Sequence, residues 1–171
     1  MDTPSAAARE DAFAAVVRLL GHFRVEYALF HHRPVRSYED AALARAEAGF
    51  VGTEGKCLVL RAGDGFVVCT TLQGRQVDLD RLRDHLSVRK VRLATPKELR
   101  RHFGAEPGNA YPFGFDAAVR IIVDPVVYAE EWLLFSPALS TATVQVRGRD
   151  LARLFRGLPN PTAELPVFAT G

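Results

Sequence analysis

TEGKCLVLRAGDGFVVCTTL, residues 53–72, reads as two apolar strands joined by a turn at Gly63-Asp64-Gly65, and this hairpin commits the chain to a sheet. One residue breaks its apolar pattern: Lys56, at the mouth of the first strand. A lysine there is either a solvated edge charge that discourages stray strand pairing or an ammonium held ready for an anionic ligand. Cys57 and Cys69 fall on the two strands of the hairpin and lack CxxC spacing. With no secretory signal in the chain, they read as reduced core thiols rather than a bridge.

Upstream of the hairpin, residues 7–22 place Phe13, Val16, Val17 and Leu20 at helical spacing. VEYALFHH (25–32) alternates as a strand, which turns His31 and His32 to opposite faces and argues against a metal shared between them. In SYEDAALARAEAG (37–49), Ser37 caps a predicted helix, with Asp40 three residues on and Gly49 at its end. Downstream, VDLDRLRDHL (77–86) predicts a short helix with Leu79, Leu82 and Leu86 inward. ATPKELRRHFG (94–104) is the strongest local signal. Thr95 is the cap, Pro96 the first helical position, Glu98 the partner in the capping box and Gly104 the stop.

A loop, AEPGNAYPFGF (105–115), leads to the strand AVRIIVD (118–124). EWLLFSP (131–137) and TATVQVRG (141–148) read as two more strands, and RDLARLF (149–155) as a last helix. Residues 158–171 form a Pro-rich tail expected to wrap the surface. Hairpins mixed with helical crossovers predict an α+β fold, a mixed sheet or partly closed barrel flanked by helices. The whole of 1–171 is expected to be one domain.

The totals suit that reading: 48% hydrophobic and 25% charged residues are globular values. No apolar run approaches the roughly 20 residues that span a bilayer, and MDTPSAAARED lacks a secretory leader, so a cytoplasmic location is expected. Net charge is +2, but it is unevenly spread. Residues 75–101 hold nine basic side chains (Arg75, Arg81, Arg83, Arg89, Lys90, Arg92, Lys97, Arg100, Arg101) against four acidic ones. Such a stretch suits either a phosphate-bearing partner or a solvated helix face.

Several chemistries are excluded by absence of their motifs. There is no GxGxxG after the first strand, no Walker GxxxxGK[ST], no GxSxG elbow and no HExxH. No metal or cofactor is expected. What remains is PGNAYPFG (107–114), where two prolines and two glycines make a rigid loop. Its backbone N–H groups can line an oxyanion site without any charged side chain, although an ordinary tight connection has the same composition.

The order of FHHRPVRSYEDA, GKCLVLR, GRQVDLDRLRDHL, LATPKELRRHFGAEPGNAYPFG, IIVDPVVYAEEWLLFSPALSTATVQV and RDLARLF closely resembles the YbaK/ProX family of aminoacyl-tRNA editing domains. It is most similar to the freestanding alanyl-tRNA(Pro) deacylases, from about residue 10 to the tail. The specific parts are the strand-entrance lysine, Lys56, and the GxxxP loop, Gly108 to Pro112, followed by Phe113 and Gly114. The resemblance implies hydrolysis, by water and without metal or acyl-enzyme, of the ester joining a wrong amino acid to the terminal adenosine of a tRNA. It implies Lys56, Gly108 and Pro112 as catalytic residues. Lys56 would contact the terminal phosphate or ribose, Gly108 would allow close backbone approach, and Pro112 would hold the loop. A mischarged tRNA is the expected partner, and a synthetase a further one.

Two motifs depart from the family pattern. Cys57 stands where the alanine-specific relatives carry asparagine, and SPALS (136–140) replaces a His-Pro-Leu-x-Asn run, with Ser136 in the histidine's place and Ser140 in the asparagine's. A small substrate is expected, alanine first, then serine, threonine or cysteine. His32, Tyr38, Cys57, Phe113, Gly114, Ser136 and Ser140 are the candidate substrate contacts, and Arg61, Arg75, Arg81, Arg83 and Lys90 the candidate tRNA contacts. Two rival readings are a non-catalytic module that binds a tRNA end or a synthetase, and a hydrolase of some other small ester.

Overall fold

The computed structural model describes residues 6–170. Residues 1–5, part of the stretch read for a leader, and Gly171, the end of the tail, lie outside the described residues. In chain order the elements are α1 (Ala6–His22), β1 (Tyr27–His31), α2 (Tyr38–Ala48), β2 (Thr53–Ala62), β3 (Gly65–Leu72), β4 (Arg75–Val77), α3 (Leu79–Leu86), β5 (Val91–Leu93), α4 (Pro96–Phe103) and β6 (Arg120–Val123). A 3-10 turn over Pro125–Ala129 follows, then β7 (Leu133–Phe135), β8 (Ala142–Val146), α5 (Gly148–Gly157), β9 (Thr162–Glu164) and β10 (Phe168–Thr170).

The hairpin closes as its residues dictate. Ala62 pairs with Gly65, and Gly63 takes φ 58° between them, a left-handed conformation that costs glycine nothing. Around it an eight-stranded sheet runs β1-β8-β7-β2-β3-β6-β9, with β5 on β2; β4 and β10 form a separate ribbon. β2 with β7, β3 with β6, and β6 with β9 are parallel, and the other pairs antiparallel. The sheet stays open, with β1 and β9 at its ends, so the mixed sheet is the correct alternative and the partly closed barrel is not.

Period-two alternation divides the interior into two layers. Val59, Val68, Ile121 and Val123 face a core shared with α1, α4 and α5. Their neighbours Leu60, Val67, Cys69 and Ile122 face a smaller one with Leu82 and Leu86 of α3. Cys57 lies opposite Thr70, and Cys69 opposite Leu58, so the two cysteines stand on opposite faces and both are free.

Two expectations need correction. Leu79 occupies the first position of α3 and is 40% exposed, while Leu82 and Leu86, one and two turns on, carry the packing. The tail does not merely wrap the surface. β9 extends the main sheet beside β6, β10 pairs with β4, and Val167 and Phe168 are buried in the smaller core. Proline spacing hid these strands, because Pro161 and Pro166 bound segments of only a few residues, too short to show a period.

The capping box forms as read. Thr95 Oγ1 accepts from Glu98 N at 3.2 Å, and a Glu98 carboxylate oxygen accepts from Thr95 N at 2.8 Å. Arg92 binds the same carboxylate with both Nη atoms, and with Thr95 N it holds the Glu98 carboxyl at about 2. The depressed value means this contribution is complete above the ordinary glutamate range and is lost as pH falls towards 2. Replacing Thr95 with alanine is expected to cost about 1 kcal/mol and to lower the melting temperature by about 2–4 °C, checked by thermal unfolding monitored by circular dichroism.

Candidate active site

β2 has two hydrogen-bonding edges, and one of them is interrupted. β3 pairs along Gly55–Ala62, but on the other edge β7 takes only Thr53 and Glu54, and β5 takes Leu60 to Ala62. Beside the interval opens a cavity of ≈ 470 Å³, walled by Glu54 to Leu58 of β2, the start of α2, Gly108 to Ala110, and residues of β7, β8 and the loop between them.

Lys56 lines this cavity and is held from behind. Its Nζ donates to the Arg75 carbonyl at 2.9 Å, which leaves two ammonium N–H groups for a ligand. Arg75 is fixed in turn: its Nε donates to Asp124 Oδ2 at 2.7 Å, and its Nη2 to the Phe168 carbonyl of β10 at 3.3 Å. Asp124 is 3% exposed, and Thr71 Oγ1 and Val126 N also donate to it. These donors offset the cost of burying a carboxylate. Lys56 is therefore not a solvated edge charge.

The loop 105–115 has two halves with different jobs. Gly108, at φ 89°, and Ala110 line the cavity beside buried Asn109. Beyond them Tyr111 donates its hydroxyl to the Phe103 carbonyl at 2.7 Å, Pro112 is buried, and Phe113 packs edge-on against Phe135 and Phe155. Gly114, at φ 104°, sits against Ala15 and Val16 of α1, where a Cβ would come within 3.3 Å. Pro112 and Phe113 are thus buried, and Gly114 is half-buried against α1; all three lie outside the cavity wall and anchor the half that does line it.

The remaining wall residues come together from distant segments. His32 Nδ1 donates to the Arg33 carbonyl at 2.7 Å, and its Nε2 is hydrogen-bonded to Thr143 Oγ1 at 2.8 Å. Ser136 Oγ donates to the Leu139 carbonyl at 3.2 Å, inside a turn where Ala138 takes φ 71°. Ser140 also lines the cavity, and its carbonyl accepts from Val35 N. Tyr38 opens α2 after the Ser37 cap, and burial, with Cys57 and Glu54 nearby, raises its phenol.

The basic residues are mostly engaged. Arg61 lies over the Phe66 ring, Arg81 pairs with Asp78, Arg83 with Asp80 and Asp84, Arg92 with Glu98, and Arg100 with Glu106. Arg89, Lys90, Lys97 and Arg101 form no ion pair among the described residues, and all four are exposed.

Residues 32–154 match the aminoacyl-tRNA editing domain. The chain belongs to the aminoacyl-tRNA editing family. As a member it is a hydrolase of the aminoacyl-tRNA ester bond. It is similar to the prolyl-tRNA editing protein ProX of Acetoanaerobium sticklandii, at 24% identity over 156 residues, covering 88% of this chain and 94% of the relative. It is similar also to the multifunctional Ser/Thr-tRNA deacylase ProXp-y of Escherichia coli K12, at 24% over 144 residues, covering 81% and 85%. The fold is shared with the crystal structure of hypothetical protein APE2540 (TM-score 0.71, 16% identity, 88% of this chain and 97% of that one). It is shared too with a candidate trans-editing enzyme for prolyl tRNA synthetase (TM-score 0.67, 20% identity, 90% and 96%).

In this editing domain two acidic residues escaped the sequence reading. Asp124 ends an apolar strand before a proline, a position that reads as a helix or turn cap. Glu54 stands two residues before Lys56, and strand alternation puts both on one face of β2; that spacing was the available signal. Cys57 is half-buried in the cavity wall, and desolvation pushes its thiol up to about 12, as it does that of buried Cys69. At pH 8 both thiols stay protonated, and the thiolate is the reactive form. Ellman's reagent is therefore expected to titrate neither cysteine in the native protein at pH 8 and both after denaturation.

Proposed function

We propose that the chain hydrolyses the ester between a small non-cognate amino acid and the terminal ribose of a mischarged tRNA. Alanine on tRNA(Pro) is the first substrate, followed by serine, threonine and cysteine. The observation that carries the reading is one cavity walled both by the ammonium of Lys56 and by the glycine half of the 105–115 loop.

In this reading Lys56 uses its two remaining N–H groups on the terminal phosphate or ribose and holds the ester over the loop. A fully charged lysine is a poor base, so its work is positioning. Asn109 N donates to the Glu106 carbonyl at 2.9 Å. Gly108 N and Ala110 N have no partner among the described residues, and they are the donors for the developing oxyanion. Each such donor contributes about 3 kcal/mol to lowering the barrier. Water oxygen bonds to the carbonyl carbon, the bond to the ribose oxygen breaks, and the tRNA hydroxyl takes up a proton. The substrate's neighbouring ribose hydroxyl activates the water.

Amino-acid choice follows from the wall. Cys57, Ser136, Ser140 and Thr143 leave room for a short side chain, with hydroxyls near a polar one. The relative named for Ser/Thr-tRNA supports serine and threonine as further substrates. A methylene is worth only about 1–3 kcal/mol of discrimination in such a pocket, so contacts to the tRNA must add selectivity. Arg61, Arg81, Arg83 and Lys90 are the proposed contacts to the acceptor stem, Arg81 and Arg83 exchanging exposed carboxylate partners for phosphate, whereas Arg75, tied to buried Asp124, acts as a support for Lys56. A synthetase is a proposed further partner.

A deacylation panel of alanyl-, seryl-, threonyl-, cysteinyl- and phenylalanyl-tRNA checks the reading. Turnover is expected for the small amino acids, and cleavage of the aromatic ester alone would overturn it. Lys56→Ala is expected to lower kcat/KM for alanyl-tRNA about 10- to 100-fold, the worth of a charged hydrogen bond. Affinity for tRNA is expected to fall as salt rises, with a shallower slope when Arg81, Arg83 and Lys90 are replaced by alanine together; an unchanged slope marks a solvated face.

A further inference from the structure

An aminoacyl ester carries an α-ammonium next to its carbonyl, and a cation entering a partly closed cavity needs a counter-charge. Among the residues that line the cavity, Glu54 is the single carboxylate. Its side chain is 15% exposed, and Oε1 accepts from Arg45 Nη1 at 3.0 Å. Oε2 has no hydrogen bond among the described residues, and no buried side-chain oxygen among them lacks a partner, so Oε2 is open to solvent.

Spacing adds direction. Glu54 and Lys56 are two residues apart on one face of β2, which separates their Cα atoms by about 7 Å. Lys56 attracts a phosphate and repels an ammonium, and Glu54 does the reverse. Together they can hold an ester by both ends in one orientation, with the carbonyl between them. Burial raises the Glu54 carboxyl above its ordinary value, and the Arg45 guanidinium and His32 act against that rise.

We propose that Glu54 recognises the α-ammonium of the bound ester, so that the cavity selects acyl groups with a free amine and spares hydroxy-acyl and N-acylated ones. The proposal rests on the reading of the cavity as an aminoacyl-ester site. Glu54 is on this account a specificity residue for the family's reaction, not its base.

Alanyl-tRNA and lactyl-tRNA, which carries a hydroxyl in place of the amine, provide the test. Rates are measured for the wild type, Glu54→Gln and Glu54→Asp, each corrected for that ester's spontaneous hydrolysis. The wild type is expected to prefer alanyl-tRNA by about 10- to 100-fold, the worth of a charge-assisted hydrogen bond. Glu54→Gln is expected to lose that preference through alanyl-tRNA alone, with lactyl-tRNA within twofold of wild type, and Glu54→Asp to restore part of it. Retained lactyl-tRNA turnover also reports that the variant is folded. Equal losses on both esters would make Glu54 a base or a structural residue and overturn the proposal, as would no loss on either. A wild type that cleaves neither ester would instead overturn the substrate reading itself, and this inference with it.

Discussion

A β-strand has two hydrogen-bonding edges, and Thr53–Ala62 uses them unequally. One edge is paired with β3 from Gly55 to Ala62, while the other is divided between β7 at its start and β5 at its end. A strand cannot pair continuously with two partners that arrive from different directions, so an interval of backbone is left between them. The cavity occupies that interval. Lys56 and Cys57 sit in that interval, and Glu54 closes the β7 ladder at its edge.

The same constraint explains why so much hydrogen bonding converges behind Lys56. A lone ammonium at a strand edge would sweep through many rotamers, each at a cost in entropy to any ligand that must fix it. Its bond to the Arg75 carbonyl restricts that freedom. Arg75 stays in place because Asp124, buried at the end of β6, accepts from both its guanidinium and Thr71. The C-terminal segment joins the arrangement through the Phe168 carbonyl and the β4–β10 ribbon. Residues more than a hundred positions apart thus hold one charge.

Rigidity on the opposite wall has a different origin. The loop 105–115 keeps its cavity-facing half exposed by burying the other half, with Phe113 at 0% exposure among aromatic neighbours and Tyr111 tied to the end of α4. Proline and glycine supply the permitted backbone angles, but the packing of the aromatics decides which angles are kept. Membership of the editing family fits this division, since ester hydrolysis by water needs fixed donors more than it needs a nucleophilic side chain.

Local chemistry was enough to read much of the chain. The 53–72 hairpin, the capped helices after Ser37 and Thr95, and the motif order that marks the family all depend on neighbours in sequence. Lys56 and Gly108 were legible for the same reason, because each breaks or bends a local pattern. Glu54 and Asp124 were not, since an acid at a strand end looks alike whether it meets solvent, Arg45 or Arg75. Nor was the retreat of Phe113 into the core and of Gly114 against α1, nor the pairing of β9 and β10, whose segments are too short to carry a period. Sequence alone determined where the longer strands and the capped helices lie and which backbone angles their turns allow. Which side chains share a cavity was decided only by tertiary structure, because long-range strand pairing brings together residues whose local signals are silent about one another.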